Sequence, residues 1–260
     1  MTGAATVNSK YTVNSVARAL ALIETFVEPP HVFSLAELAR RRSMTKNQAF
    51  RLMRTIEASG VVERSDDRYR LGTRLFEIAQ FAARRPDLVA LASPVMQRLH
   101  AATGEQTVYL LIRSGVHALC VHAIQSRRVL RLVVEPGDVR PLHAGAGGKV
   151  LLAHANQDVW QAVARRGLAR FTDATVTDRR SLRADLDRIR RQGWAISEGE
   201  IVSGSAAVAA PVSNAQGAVV ASLAVGGLAE EVGSAGRRLA RQTAVVAAAA
   251  EISRGLGHVA

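Results

Sequence analysis

The sequence predicts an α+β protein in two parts, a small winged helix-turn-helix and a larger mixed α/β domain, joined by a linker helix. Three observations carry this. Ser34 to Gly60 reads as two short amphipathic helices around a tight turn. Val61 to Leu71 then alternates like a hairpin, and beyond Leu88 strand-like runs and helical stripes follow one another. At 260 residues the chain has room for one small domain and one of ordinary size.

The elements follow in order. Residues 1–12 are expected to form a disordered tail. Asn14 or Ser15 can cap a first helix whose Val16, Leu20, Ile23 and Val27 recur at helical spacing, and Pro29-Pro30 stops it. Ser34 and Glu37 form an S-x-x-E capping box before Leu35, Leu38 and Ala39. Ser43-Met44 is the turn. A third helix from about Thr45 to Ser59 buries Ala49, Leu52, Met53 and Ile56 and ends at Gly60. The hairpin, with its turn at Asp66-Asp67, completes a winged module over residues 13–72. Residues 73–87 form an apolar linker helix that Pro86 ends, and residues 88–260 form the second domain.

In that domain a helix runs to about Thr103. Strands are expected at Gln106 to Arg113, Ala118 to Ile124 and Leu130 to Val134. After a Gly-rich loop come helices near Lys149 to His154, Asp158 to Arg166 and Ser181 to Gln192. Strands at Trp194 to Ser197, Ala206 to Val212 and Ala218 to Val225 precede a closing helix from about Glu230 to Ser253.

Composition narrows the function. Hydrophobic content of 48% rules out wholesale disorder, and no apolar run is long enough to span a bilayer. Met1 to Ser9 lacks the pattern of a secretory signal, and a single cysteine, Cys120, excludes an internal disulfide; both point to the cytoplasm. The formal charge is +12, and the 35 residues from Arg40 to Arg74 hold ten bases against four acids. That concentration points to a polyanion, while the scarcity of aromatics argues against a platform for single strands.

Duplex DNA fits the residues. Asn47, Gln48 and Arg51 lie early on the third helix, where a recognition helix meets base edges. Asn and Gln can pair with adenine through two points, and Arg with guanine. Lys46, Arg54, Arg18 and the hairpin residues Arg64, Arg68 and Arg70 are placed for phosphates, which orient without reading sequence.

Two other patterns carry less. Gly145-Ala146-Gly147-Gly148-Lys149 invites a phosphate-loop reading, but His143 and Val150 stand where that motif needs Gly and Ser or Thr. Its backbone N–H groups could still receive a carboxylate. Cys120 and His122 alternate onto one face of a strand and read as a buried pair; no cofactor or metal site is expected.

Ser15 to Leu20, Ser34 to Ala39 and Arg68 to Gly72 together resemble the IclR-type bacterial transcriptional regulators. The resemblance continues in family order through Glu135 to Asp138, Pro141 to Ala153, Arg190 to Trp194 and Ala209 to Val212, so it covers nearly the whole chain. It implies a GAF-like effector-binding second domain, control by a small metabolite, and a homodimer or dimer of dimers on a double-stranded operator. It also implies an effector pocket at Ala146, Gly147, Ser197, Ala207, Ala224 and Gly226. Relatives often carry Ser or Cys where Ala207 and Ala224 stand, which suggests an acid with an apolar body. Members often begin the recognition helix with Pro-Lys-Ser-Thr, where this chain has Thr45 to Gln48, so the operator is expected to be its own. The alternatives are a non-specific DNA-binding protein and a small-molecule enzyme with a DNA-binding appendage, for which no nucleophile-base pair is evident.

Overall fold

The computed structural model describes residues 13–83, 88–232 and 235–259. The chain separates into two compact units, divided between residues 85 and 86. The expected tail, residues 1–12, lies outside the described residues.

The first unit holds α1 (Asn14–Thr25), β1 (Phe33–Ser34), α2 (Leu35–Arg41), α3 (Lys46–Ala58), β2 (Val62–Ser65), β3 (Arg68–Leu71) and α4 (Thr73–Ala83). Two capping boxes set its helices. Ser34 Oγ accepts from Glu37 N at 3.4 Å while Glu37 Oε2 accepts from Ser34 N at 2.7 Å. The same reciprocal pair joins Thr45 and Gln48 at the start of α3. Each box satisfies two N–H groups that a helix start leaves unbonded, typically worth about 1 kcal/mol at the cap residue. The wing has one more strand than expected: β1 pairs with β3, giving the order β1-β3-β2.

The first helix departs from expectation in two ways. Val13 is its N-cap and no side chain closes it. Of the expected stripe, Val16, Leu20 and Val27 are exposed and Ile23 alone packs, half-buried, against a core that takes Leu22, Thr25 and Phe26. Both sides of this helix carry apolar residues at helical spacing, so periodicity alone could not choose. The choice is made by Phe26, whose ring meets Phe33 edge-on at 5.6 Å in the cluster with Leu38, Met53 and Tyr69.

The second unit holds α5 (Leu88–Ala102), β4 (Thr107–Ser114), β5 (His117–Ile124), β6 (Val139–Pro141), α6 (Ala146–Ala153), α7 (Gln157–Arg166), α8 (Arg179–Gln192), β7 (Ala195–Glu198), β8 (Ser205–Ser213), β9 (Val219–Leu228), α9 (Ala229–Val232) and α10 (Ala235–Gly255). Its strands form one antiparallel sheet in the order β6-β5-β4-β9-β8-β7. One face packs on α5 and α10 through Val108, Leu110, Leu223 and Val225. The other packs on α6 and α8 through Leu111, Ala207, Ala209 and Ala224. Alanines on β8 and β9 let helices approach both faces closely.

Leu130 to Val134 is not a strand. The free edge of β5 that it would need is taken by β6, with Leu119 opposite Val139. The segment is held instead by side chains, Thr107 Oγ1 donating to Leu132 O at 2.6 Å and Arg140 Nη2 to Val133 O at 3.3 Å. Cys120 and His122 do not share a face. A bulge shifts the register so that Cys120 lies opposite Leu111 and His122 opposite Leu110, on the two different sides of the sheet.

Candidate nucleic-acid interface and effector site

Asn47 and Arg51 are one turn apart on the exposed side of α3, opposite buried Ala49, Met53 and Ile56. They line a groove of about 480 Å³ together with Gln48, Arg18 and Ser15, so α1 forms its second wall. Gln48 is there too, but its Oε1 accepts from Thr45 N at 3.3 Å. Two-point pairing with adenine would use that oxygen as well as the amide nitrogen, so the box must open first. Phe50, a residue not singled out from sequence, is 43% exposed on the same helix; its signal was an aromatic one residue beyond the apolar stripe.

The phosphate candidates are all on the surface, and several have acidic neighbours. Arg64 pairs with Asp67 at 3.0 Å, Arg68 with Glu37 at 3.2 Å and Arg70 with Glu63 at 3.3 Å. Arg54 sits 3.6 Å from Glu57, and Lys46 is exposed at the start of α3. Exposed pairs of this kind contribute little stability, so a phosphate can compete for each arginine.

In the second unit the Gly-rich stretch is mostly helix. α6 begins at Ala146, so Gly147, Gly148 and Lys149 lie inside it. Close packing requires both glycines: a Cβ on Gly148 would lie 2.3 Å from Pro141 O, and one on Gly147 2.7 Å from Leu111 Cδ1. The anion expected at this helix start comes from the chain itself. Gly145 N donates to Glu200 Oε2 at 2.9 Å. Lys149, 2% exposed, donates to Glu200, to Asp185 Oδ2 at 2.9 Å and to Ile196 O at 3.2 Å.

The residues implied for effector binding meet on the sheet face under α6. Ser197, Ala207 and Gly226 are direct cross-strand neighbours, with Thr107 next in the row. Ala224 stands in the adjacent row between Tyr109 and Ala209. Ala146 and Gly147 are buried at the start of α6. Leu132 fills the space at the row: its Cδ2 lies 2.6 Å from where a Gly226 Cβ would be. A separate open cleft of about 600 Å³ is lined by Lys149, Arg188 and Arg191 and by Asp185, Glu198 and Glu200, a balance of charge that selects neither sign.

Among the described residues no three or more His, Cys, Asp or Glu are grouped to hold a metal ion. No described helix is long and apolar enough to cross a membrane.

A capped helix-turn-helix with a wing, followed by a helix-covered antiparallel sheet, is the architecture of a two-domain transcriptional regulator. Two family profiles agree with that class. The one described as IclR helix-turn-helix domain matches residues 15–66, and the one described as bacterial transcriptional regulator IclR C-terminal matches residues 80–254. The chain belongs to the IclR family of bacterial transcriptional regulators. It is similar to the HTH-type transcriptional regulator BhcR of Paracoccus denitrificans, 33% identical over 94% of this chain and 88% of that one. A crystal structure of an IclR transcriptional regulator from Alicyclobacillus acidocaldarius has a TM-score of 0.80 at 28% identity, covering 95% of this chain and 100% of that one. An IclR homolog from Microbacterium hydrocarbonoxydans, complexed with 4-hydroxybenzoate, has a TM-score of 0.78 at 26% identity, covering 93% of this chain and 98% of that one.

Proposed function

We propose that the protein is a cytoplasmic regulator whose α3 reads an operator and whose second domain binds a small carboxylic acid. The carrying observation is the groove in which Asn47, Gln48 and Arg51 of α3 face Arg18 of α1. In this reading Asn47 and Arg51 contact bases, joined by Gln48 when its box opens. Arg18, Lys46, Arg54, Arg64, Arg68 and Arg70 hold phosphates.

The effector site is assigned to Ala146, Gly147, Ser197, Ala207, Ala224 and Gly226, on the strength of the shared sheet face. The complex of the Microbacterium homolog with 4-hydroxybenzoate supports an acid with an apolar body. The protein acts by binding rather than catalysis, as the relatives' descriptions as transcriptional regulators suggest. We assign it to a homodimer or dimer of dimers, α4 serving as the link between domains; the last residues of the expected linker, 84–87, lie outside the described residues. Exposed Val16 and Leu20 on α1, and Phe76 and Ile78 on α4, offer apolar surface for such association. Paired recognition helices then place half-sites about one DNA turn, roughly 34 Å, or a multiple apart. The acid acts by favouring one arrangement of the paired helices.

Gel-shift competition at fixed salt tests the DNA reading. The duplex enriched by this protein from a random pool should stay bound when unrelated duplex is added; equal competition would make it a non-specific binder.

A further inference from the structure

We propose that Arg140 recognises the acid group of the effector and that Leu132 is the plug the effector displaces. This rests on the reading that Ser197, Ala207 and Gly226 border the effector site.

An anionic ligand needs a cation or free donors, and two sources near this face are already engaged. The N–H of Gly145 is bound to Glu200, and the Lys149 ammonium is held by Glu200, Asp185 and Ile196 O. Arg140 differs. Its side chain is 18% exposed, and its guanidinium carbon lies 5.9 Å from the centroid of the Tyr109 ring. Nη2 spans Val133 O at 3.3 Å and Asp138 Oδ2 at 3.5 Å. Nε is buried with no acceptor among the described residues. A buried charged donor left unpaired is costly, so a carboxylate that reaches it gains a charge-assisted bond.

Tyr109 connects this arginine to the row. It is buried, stands opposite Ala224, and its Cε1 lies 3.3 Å from the point a Gly226 Cβ would occupy. Leu132 Cδ2 lies 2.6 Å from that same point. Glycine at 226 therefore leaves room that Leu132 fills, beside a ring that carries Arg140 as its other neighbour. Leu132 belongs to the stretch that forms no strand, and its backbone is held through Thr107 Oγ1. A ligand with a small apolar or aromatic body can replace the Leu132 side chain against Gly226 and Tyr109 and turn its carboxylate to Arg140. Asp138 already offsets part of the arginine's charge, which favours a monocarboxylate over a phosphate or a dianion.

The test is calorimetric titration of the full-length protein with benzoate, 4-hydroxybenzoate and phenylacetate, and with their methyl esters. At least one acid should bind and its ester should not. Arg140→Met should weaken that acid about ten- to a hundredfold, Arg140→Lys less, and Leu132→Ala should tighten it. Equal binding of acid and ester, unchanged affinity in Arg140→Met, or no binding of any acid overturns the proposal. Ala207→Phe separates this from the underlying reading. If it leaves the acid bound, the site itself is misplaced. If it abolishes binding while Arg140→Met does not weaken it, the site stands and the assignment of Arg140 falls. Should Arg140→Met melt early, Arg140→Lys and Leu132→Ala, changing affinity in opposite directions, decide the matter.

Discussion

The backbone N–H of Gly145 donates to Glu200 Oε2 at 2.9 Å, so a residue 55 positions later occupies the anion position at the start of α6. The same carboxylate binds Lys149, which also holds Asp185 and thereby ties α6 to α8. This arrangement closes the Gly-rich stretch to outside anions.

Lys149→Met should destabilise the second domain by roughly 3–5 kcal/mol, because Glu200 is left a buried acid without its cation, whereas Asp185 keeps Arg188. Adding Glu200→Gln should recover part of the loss. Urea denaturation of the full-length variants measures both; a single variant as stable as the wild type would show that the buried pair adds nothing.

Gly148→Ala should be worse than an ordinary added methyl group. Its Cβ would meet Pro141 O at 2.3 Å and Leu142 Cα at 3.3 Å, backbone atoms that cannot rotate aside. Overpacking typically costs about 1–3 kcal/mol, and this site is expected at or above the upper end. The yield of soluble protein and its melting temperature are the readouts.

At the start of α3, Thr45→Ala should cost about 1 kcal/mol by opening the cap. Gln48→Ala distinguishes two roles for its carboxamide. If capping is its main work, stability falls and the DNA sequence enriched from a random pool is unchanged. If it reads adenine, one position of that sequence relaxes.

Cys120 should resist alkylation in the native protein. The thiol is buried, and burial pushes its pKa up from 9.0 to about 11, the acid Asp138 adding to the rise while a hydrogen bond with the His122 backbone and the nearby Arg140 oppose it. Because the folded value is the higher one, the stabilising contribution is whole below about pH 9 and is lost as pH rises toward 11. Iodoacetamide at mildly alkaline pH should label the urea-unfolded chain quickly and the native chain slowly.

Much of the fold could be read from the sequence because its signals are local. Ser34 and Glu37 form their cap from residues three positions apart, and the wing follows from alternation around Asp66-Asp67. What could not be read depends on distant partners. The exposed side of α1 was decided by Phe26 meeting Phe33, and the absence of a strand at Leu130 to Val134 by β6 taking the edge of β5. The bulge that separates Cys120 from His122 is a property of the β4–β5 pairing rather than of either strand. At the site, the side chains on α3 followed from helix spacing, whereas the roles of Glu200, Leu132 and Arg140 emerge only when the sheet brings them together.

Whether α3 reads sequence is decided at Arg51. The wild type and Arg51→Ala would be titrated at one salt concentration against the duplex enriched by the wild type and against an unrelated duplex. Arg51→Ala should lose about 1–3 kcal/mol of binding on the enriched duplex and little on the other. An equal loss on both would make Arg51 a phosphate contact and not a reader of sequence.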